Sequence, residues 1–381
     1  DLAEGVLVGP ETPPLPQIPA NTVIAVPVNG VNGAGKLSAL LGEFEVGSNG
    51  CDGSSGSFNS REAFITNTAG TVNTGLTATG SCTAADANGT GTLQFTISGG
   101  TPFASSTLHF TYVTAGSGSQ FLGMLLLETD SFASNQPIMA GLADPNPNAG
   151  SITGPAFASF CPCLFQGSAT TDGTSSGKPV ASIVRVVASS SGGGSGTLSG
   201  IVDENAGGTL TMQGALPYSS FTVDADGVGT FTGTGQKTIH FILGNQLYSL
   251  DESTQVRTGS LNAQNALSIV SPNMPYIFGA DEAAINRATG ARVSGVLTPS
   301  GATSGTLSGT VDAITSTGLS PGAAVTGSYT SISSTTGRGT GTASLIGDSP
   351  VNIVIYAFRN RRILMLDMQS TNPFLTGARL Q

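Results

Sequence analysis

One nine-residue string occurs twice in this chain. Ser195-Gly-Thr-Leu-Ser-Gly-Ile-Val-Asp203 returns as Ser304-Gly-Thr-Leu-Ser-Gly-Thr-Val-Asp312, identical at eight of nine positions, and a worn version stands at Ser55-Gly-Ser-Phe58. A second mark follows each copy: Gly89-Thr-Gly-Thr92, Gly227-Val-Gly-Thr230 and Gly337-Arg-Gly-Thr340. Each is preceded by a polar turn, at Asp86-Ala-Asn-Gly89, Asp224-Ala-Asp-Gly227 and Ser334-Thr-Thr-Gly337. An apolar run comes next, at Leu108 to Tyr112, Ile239 to Ile242 and Ile353 to Tyr356. A second apolar run then ends in an acid, at Glu128, Asp251 and Asp367. Short closing segments complete the copies at Ala140 to Leu142, Thr258 to Leu261 and Thr376 to Leu380. The same order three times over means one structural unit repeated.

Cutting after each closing segment gives a Pro-rich extended arm at 1–20 and modules at 21–147, 148–264 and 265–381. Apolar and polar residues alternate in Phe221 to Val223 and Thr230 to Thr232, and Asp-Ala-Asp-Gly between such runs is hairpin chemistry. The best helical candidate, Asp281 to Arg287, allows at most two turns. The expected fold is all-β: three tandem antiparallel modules of about eight strands, each an up-and-down β-barrel or a sandwich.

Composition narrows the function. Charged residues are 9% of the chain, against about 25% in ordinary soluble proteins. The net charge is −10, and Lys36, Lys178 and Lys237 are the only lysines. No basic face is available for nucleic acid or for anionic membrane. The longest apolar run, Phe121 to Leu127, is far short of a membrane span. Asp1 reads as the mature end of an exported protein whose signal peptide has been removed.

The cysteines, Cys51, Cys82, Cys161 and Cys163, fit disulfides in an oxidising compartment. Four cysteines allow three pairings. Cys51 with Cys82 is favoured because both fall in one module; Cys161 and Cys163 close on each other only in a small strained ring. Free buried thiols remain an alternative, and a zinc site lacks the usual spacer. The arm holds Pro10, Pro13, Pro14, Pro16 and Pro19. It is either a flexible leader or a docking arm that adds a strand to a neighbouring subunit through Val6, Leu7, Val8, Leu15 and Ile18.

Enzyme motifs fail on inspection. Gly30 to Lys36 resembles a phosphate loop, but Leu37 stands where magnesium coordination needs Ser or Thr. Gly318-Leu-Ser-Pro-Gly322 matches a nucleophile elbow without the preceding apolar strand, and suits a loop. His109 and His240 occupy what reads as one repeat position, with Val354 in the third copy. That pattern favours a half-buried or barrel-lining histidine over a catalytic one. Asp224, Asp226, Asp86 and Asn88 lack the further oxygens of a calcium loop. Glu128, Asp251 and Asp367 read as solvated strand ends, and Arg359, Arg361 and Arg362 as a hairpin tip. No catalytic residue, metal or cofactor is implied.

The three sets of marks resemble a family of exported, Gly/Ser/Thr-rich tandem-repeat β proteins of soil bacteria. In that family a Gly-x-Gly-Thr strand precedes an apolar strand and a Leu-Leu-x-Asp-like strand. The resemblance covers the chain beyond its first twenty residues and implies export without implying an activity. In architecture alone the modules also look like lipocalin or streptavidin barrels. The expected role is a non-catalytic structural subunit of an extracellular or cell-surface assembly. It would be a self-assembling, head-to-tail homopolymer, such as a filament joined by the N-terminal arm. The alternative is a secreted, adhesin-like barrel that binds small apolar ligands or glycans.

Overall fold

The computed structural model describes residues 16–380, apart from 35, 52–55, 101–102, 104, 118–119, 132, 162, 171–178, 234–238, 244–246, 252–255, 265–269, 283–291, 316–317, 346–348, 359–361 and 372. Val6, Leu7, Val8, Leu15, Arg359 and Arg361 therefore lie outside the described residues.

Strands β1 (Val23–Asn32), β2 (Leu37–Val46), β3 (Gly56–Thr68), β4 (Thr71–Cys82), β5 (Thr90–Ser98), β6 (Thr107–Ser117), β7 (Gln120–Glu128) and β8 (Pro137–Pro145) form a closed antiparallel barrel. They follow one another in order, and β1 seals the ring against β8, with Asn29 opposite Ala140. A short helix, α1 (Gly154–Phe160), leads into the second module. Its strands are β9 (Cys163–Thr170), β10 (Val180–Gly192), β11 (Ser195–Ala206), β12 (Thr209–Ala215), β13 (Ser220–Val223), β14 (Val228–Thr232), β15 (Ile239–Leu243), β16 (Leu247–Asp251) and β17 (Val256–Ala263). Eight of these nine run in a ring, closed where β9 pairs with both β10 and β17. The ninth, β12, pairs with the far half of β11. Strands β12 and β13 together match the single strand β4, broken here at Leu216 to Ser219, where Pro217 has no N–H for a ladder. The third module repeats the closed ring with β18 (Tyr276–Glu282), β19 (Arg292–Pro299), β20 (Gly305–Thr315), β21 (Gly318–Thr330), β22 (Arg338–Ser344), β23 (Val351–Phe358), β24 (Arg362–Asp367) and β25 (Phe374–Leu380). The stretch that read as a helix opens instead as strand: Asp281 and Glu282 end β18 and pair with Leu375 and Phe374.

Each barrel is filled by its own side chains. In the first, Phe44, Phe58 and Phe95 meet at 4.6–5.6 Å between ring centroids, and Phe110 joins Phe95 at 5.5 Å. The repeated Gly-x-Gly-Thr mark follows from that packing. Its first glycine takes a positive φ, at 77° in Gly89, 87° in Gly227 and 67° in Gly337, so the hairpin can close. In the first two copies its second glycine seats a ring from the next strand, and in the third the nearest side chain to Gly339 is that of Ile332. A Cβ at Gly91 would lie 2.4 Å from the Tyr112 ring, and one at Gly229 would lie 2.5 Å from the Phe241 ring.

A plug precedes the strands of every module. Ile18, fully buried, sits in the first core and its carbonyl accepts from Cys51 N at 3.0 Å. In the second, α1 is capped by the Thr153 hydroxyl and drives Phe157 among Phe221, Phe231 and Phe241. Val270 takes that part in the third. Ile18 thus belongs to its own barrel, not to an arm reaching a neighbour.

Candidate functional site

The chemistry-bearing residues collect at two seams between consecutive barrels. At the first, Ala25, Ala39, Leu41 and Ile65 of β1–β3 pack on Ile242, Tyr248, Leu250 and Val256 of β15–β17. At the second, Leu164, Ala181 and Ile183 of β9–β10 pack on Val354, Tyr356, Leu364 and Leu366 of β23–β24. Ladder registers make these the same surfaces. Leu41 and Ile183 face Ile65 and Asp203 across equivalent hairpins. Ile242 and Tyr356 lie opposite Val228 and Arg338, each the residue after the positive-φ glycine of the mark. The leading face of one module, its first three strands, therefore meets the trailing face of the next.

Two polar clasps recur. Asn67 Nδ2 donates to the carbonyl of Asp251 at 2.7 Å, and Asn205 Nδ2 to the carbonyl of Asp367 at 3.0 Å. Each asparagine oxygen also accepts the amide three residues on, from Gly70 and Gly208. The residue after each closing strand supplies the second clasp. Asn146 Nδ2 donates to Glu43 and to the Asp226 carbonyl; Gln264 accepts from Arg185 and donates to the Thr336 carbonyl.

Charge distinguishes the seams. At the first, Arg61 pairs with Glu45 at 2.9 Å and Asp226 at 2.8 Å, partly open to solvent. Glu43 is buried beside them, and one of its oxygens, Oε2, has no hydrogen-bond partner. Burial pushes its carboxyl up to about 8, opposed by the Asn146 bond. Tyr248 donates to Asp144, whose carboxyl burial also raises. At the second seam Arg338 grips Asp203 through Nε at 2.7 Å and a terminal nitrogen at 2.8 Å, and the Tyr356 hydroxyl donates to the same carboxylate at 2.7 Å. Asp203 is fully buried. Desolvation and that neighbouring carboxylate hold the Tyr356 hydroxyl well above its usual range.

The residues singled out from sequence fall elsewhere, or in other roles. Cys51 bonds Cys82, and Cys161 bonds Cys163, so both pairs close within their own modules. His109 is neither half-buried nor barrel-lining: its side chain is 51% exposed, and Nδ1 lies 2.7 Å from Asp130. Nor does it match His240. The ladders put Thr111 opposite Thr92 and His240 opposite Thr230, a shift of two residues that the apolar runs alone conceal. His240 is half-buried on an outward face.

Glu128, Asp251 and Asp367 are buried, not solvated, and over Glu128 and Asp367 the following chain folds back to supply hydrogen-bond partners. Glu128 accepts from Gln136 at 2.7 Å and from Met139 N at 3.0 Å, while burial pushes it up to about 7. Asp367 Oδ1 accepts from Gln369 N and Ser370 N.

Asp86 and Asp224 each accept two amides of their own turn, the hairpin chemistry expected of them. Gly30 to Asn32 and Lys36 flank the β1–β2 hairpin, where Asn32 caps the turn. The elbow-like string opens strand β21, not a loop, with Pro321 and Gly322 bulged opposite Asp312. Arg362 starts β24 and is half-buried. Among the described residues no cluster of His, Cys, Asp or Glu is placed to hold a metal, and no helix is long and apolar enough to cross a membrane.

Sequence reasoning missed Asn67 and Asn205. Their signal was an Asn-x-x-Gly string, Asn67 to Gly70 and Asn205 to Gly208, in the first two modules and not in the third.

A scan against protein-family models found no match, and neither did a search of curated proteins. Among solved structures, the chain is similar to the isotype 1 transferrin binding protein B of serogroup B Neisseria meningitidis. The identity is 12%, the TM-score 0.23, and the match covers 91% of this chain and 66% of that one. At that level nothing about function passes from one protein to the other.

Proposed function

We propose that this protein is a non-catalytic structural subunit of an extracellular or cell-surface assembly, built by head-to-tail contact between β-barrels. The observation that carries this reading is one seam made twice, from equivalent strands, between successive modules. A contact of this heterologous kind joins two unlike faces, so each copy added leaves a face for the next, and repetition extends it unless the rotation closes a ring. Two disulfides fit an oxidising location. Packed aromatic interiors count against the alternative, a barrel that carries small apolar ligands, because the first core is occupied by Phe44, Phe58, Phe95 and Phe110. The buried carboxyls raised above their ordinary range, Glu43, Asp144 and Glu128, hydrogen-bond amides or a tyrosine at the first seam and a strand end, and none faces a nucleophile among the described residues. Sedimentation and electron microscopy of the purified full-length chain test the reading. A concentration-dependent ladder of end-joined particles is expected; a strict monomer at high concentration would overturn it.

A further inference from the structure

Two seams use two leading faces and two trailing faces, which leaves the trailing face of the first module and the leading face of the third. These positions bury apolar side chains at the seams and expose them at the ends. Ile242 and Tyr356 are 1% and 0% exposed, and the matching Val113 is 40% exposed. Leu250 and Leu366 are 1% and 0% exposed, and the matching Leu127 is 47% exposed. On the other face, Asn67 and Asn205 are fully buried, and the matching Ile314 is 59% exposed with Leu319 opposite it at 69%. Val296, the counterpart of Glu43 and Arg185, is 36% exposed. Val113, Leu127, Val296, Ile314 and Leu319 are five of the nine large apolar side chains exposed among the described residues.

The strand sequences make the same point. Strands β16 and β24 are apolar on both faces and buried on both. Strand β7 carries the same two-sided pattern, Met124-Leu-Leu-Leu127, yet of its outward residues Leu125 is only half-buried and Leu127 is exposed. A strand apolar on both faces is the mark of one covered on both faces.

We propose that the β19–β21 face of one chain docks on the β6–β7 face of a second copy, in the geometry of the internal seams. This rests on the structural-subunit reading and names its partner and its two surfaces. The join is more apolar than the internal ones and less well matched. Ile314 replaces the asparagine clasp, and Asp312, which is exposed, would meet Thr90 and Val113 where Asp203 meets Arg338 and Tyr356. A carboxylate brought into such a contact without a cation opposite it opposes association. The end-to-end join is therefore weaker than the fused seams, and removing that charge tightens it.

The experiment uses three full-length variants, Leu127→Asp, Ile314→Asp and Asp312→Ser, followed by sedimentation velocity. Circular dichroism and thermal midpoints check that these surface changes leave the fold intact. Each of the first two variants weakens self-association at least about tenfold by putting a charge at the centre of the contact. Asp312→Ser strengthens it. Mixing Leu127→Asp with Ile314→Asp gives a dimer and nothing larger, because each variant keeps one good face. Like-with-like dimers of either variant alone, or assembly that both variants leave unchanged, would overturn this docking mode while the structural-subunit reading stands. A monomeric parent protein would remove both.

Discussion

The two seams share a backbone plan and differ in their electrostatics. Both bury matching apolar positions, and both end on an asparagine that donates to the carbonyl of a buried acid. The second adds a buried, two-pronged arginine–carboxylate pair with a tyrosine hydroxyl on the same acid. At the first seam Ile65 stands where the second has Asp203, Arg61 pairs near solvent, and burial favours the protonated form of Glu43. Position is thus conserved by shape and main-chain hydrogen bonding, while charge is free to vary. That difference assigns each seam its own weakness.

The largest expected effect is at the second seam. Asp203→Ala leaves the Arg338 side chain, 9% exposed, without its partner, and should destabilise the module 2–module 3 unit by about 3–5 kcal/mol in denaturant titration. A loss as small as that of an exposed pair would show that the contrast between seams is not electrostatic. The first seam should respond to pH instead. Glu43 titrates near 8 when folded and near the ordinary carboxylate value when unfolded. Between those limits the folded chain holds a proton that the unfolded chain has released. Stability therefore falls as pH rises through that window and levels off above about 8. Glu43→Gln should flatten the profile of thermal midpoint against pH and gain roughly 1–3 kcal/mol at the alkaline end. Glu128, raised to about 7 inside the first barrel, keeps its own contribution in both proteins over a narrower pH window that closes near 7.

The shared clasp should give matched, smaller effects. Asn67→Ala and Asn205→Ala each cost about 1–2 kcal/mol, and unequal losses would break the equivalence of the seams. Smallest is Arg61→Ala, at about 1 kcal/mol or less, since its pairs with Glu45 and Asp226 are partly solvated. A loss as large as that of Asp203→Ala would erase the distinction.

Much of the fold was legible because its marks answer to local physics. The glycine that closes the turn must reach positive φ in every copy, and in the first two copies a glycine two residues later must make room for a ring. The seams were not legible in the same way. Reading the apolar runs alone aligned His109 with His240, whereas the ladder aligns Thr111 there. Ending each run in an acid suggested solvent, yet Glu128, Asp251 and Asp367 are all buried. The proline-rich opening suggested a flexible leader or a docking arm with Ile18 among its contacts, and Ile18 lies instead in the core of the first barrel. Each error concerns which surface a residue meets at long range, on which local spacing is silent.

By itself, the sequence determined a chain of three like β units, their turns, and the inward side of most strands. Alternation fixes a side chain as inside or outside its own barrel because the pleat has a period of two residues. Only the tertiary structure decided which outsides are buried. Whether an outward leucine meets water or another barrel depends on the packing of one closed sheet against the next, and Leu250 and Leu127 occupy the same place in the repeat with opposite fates.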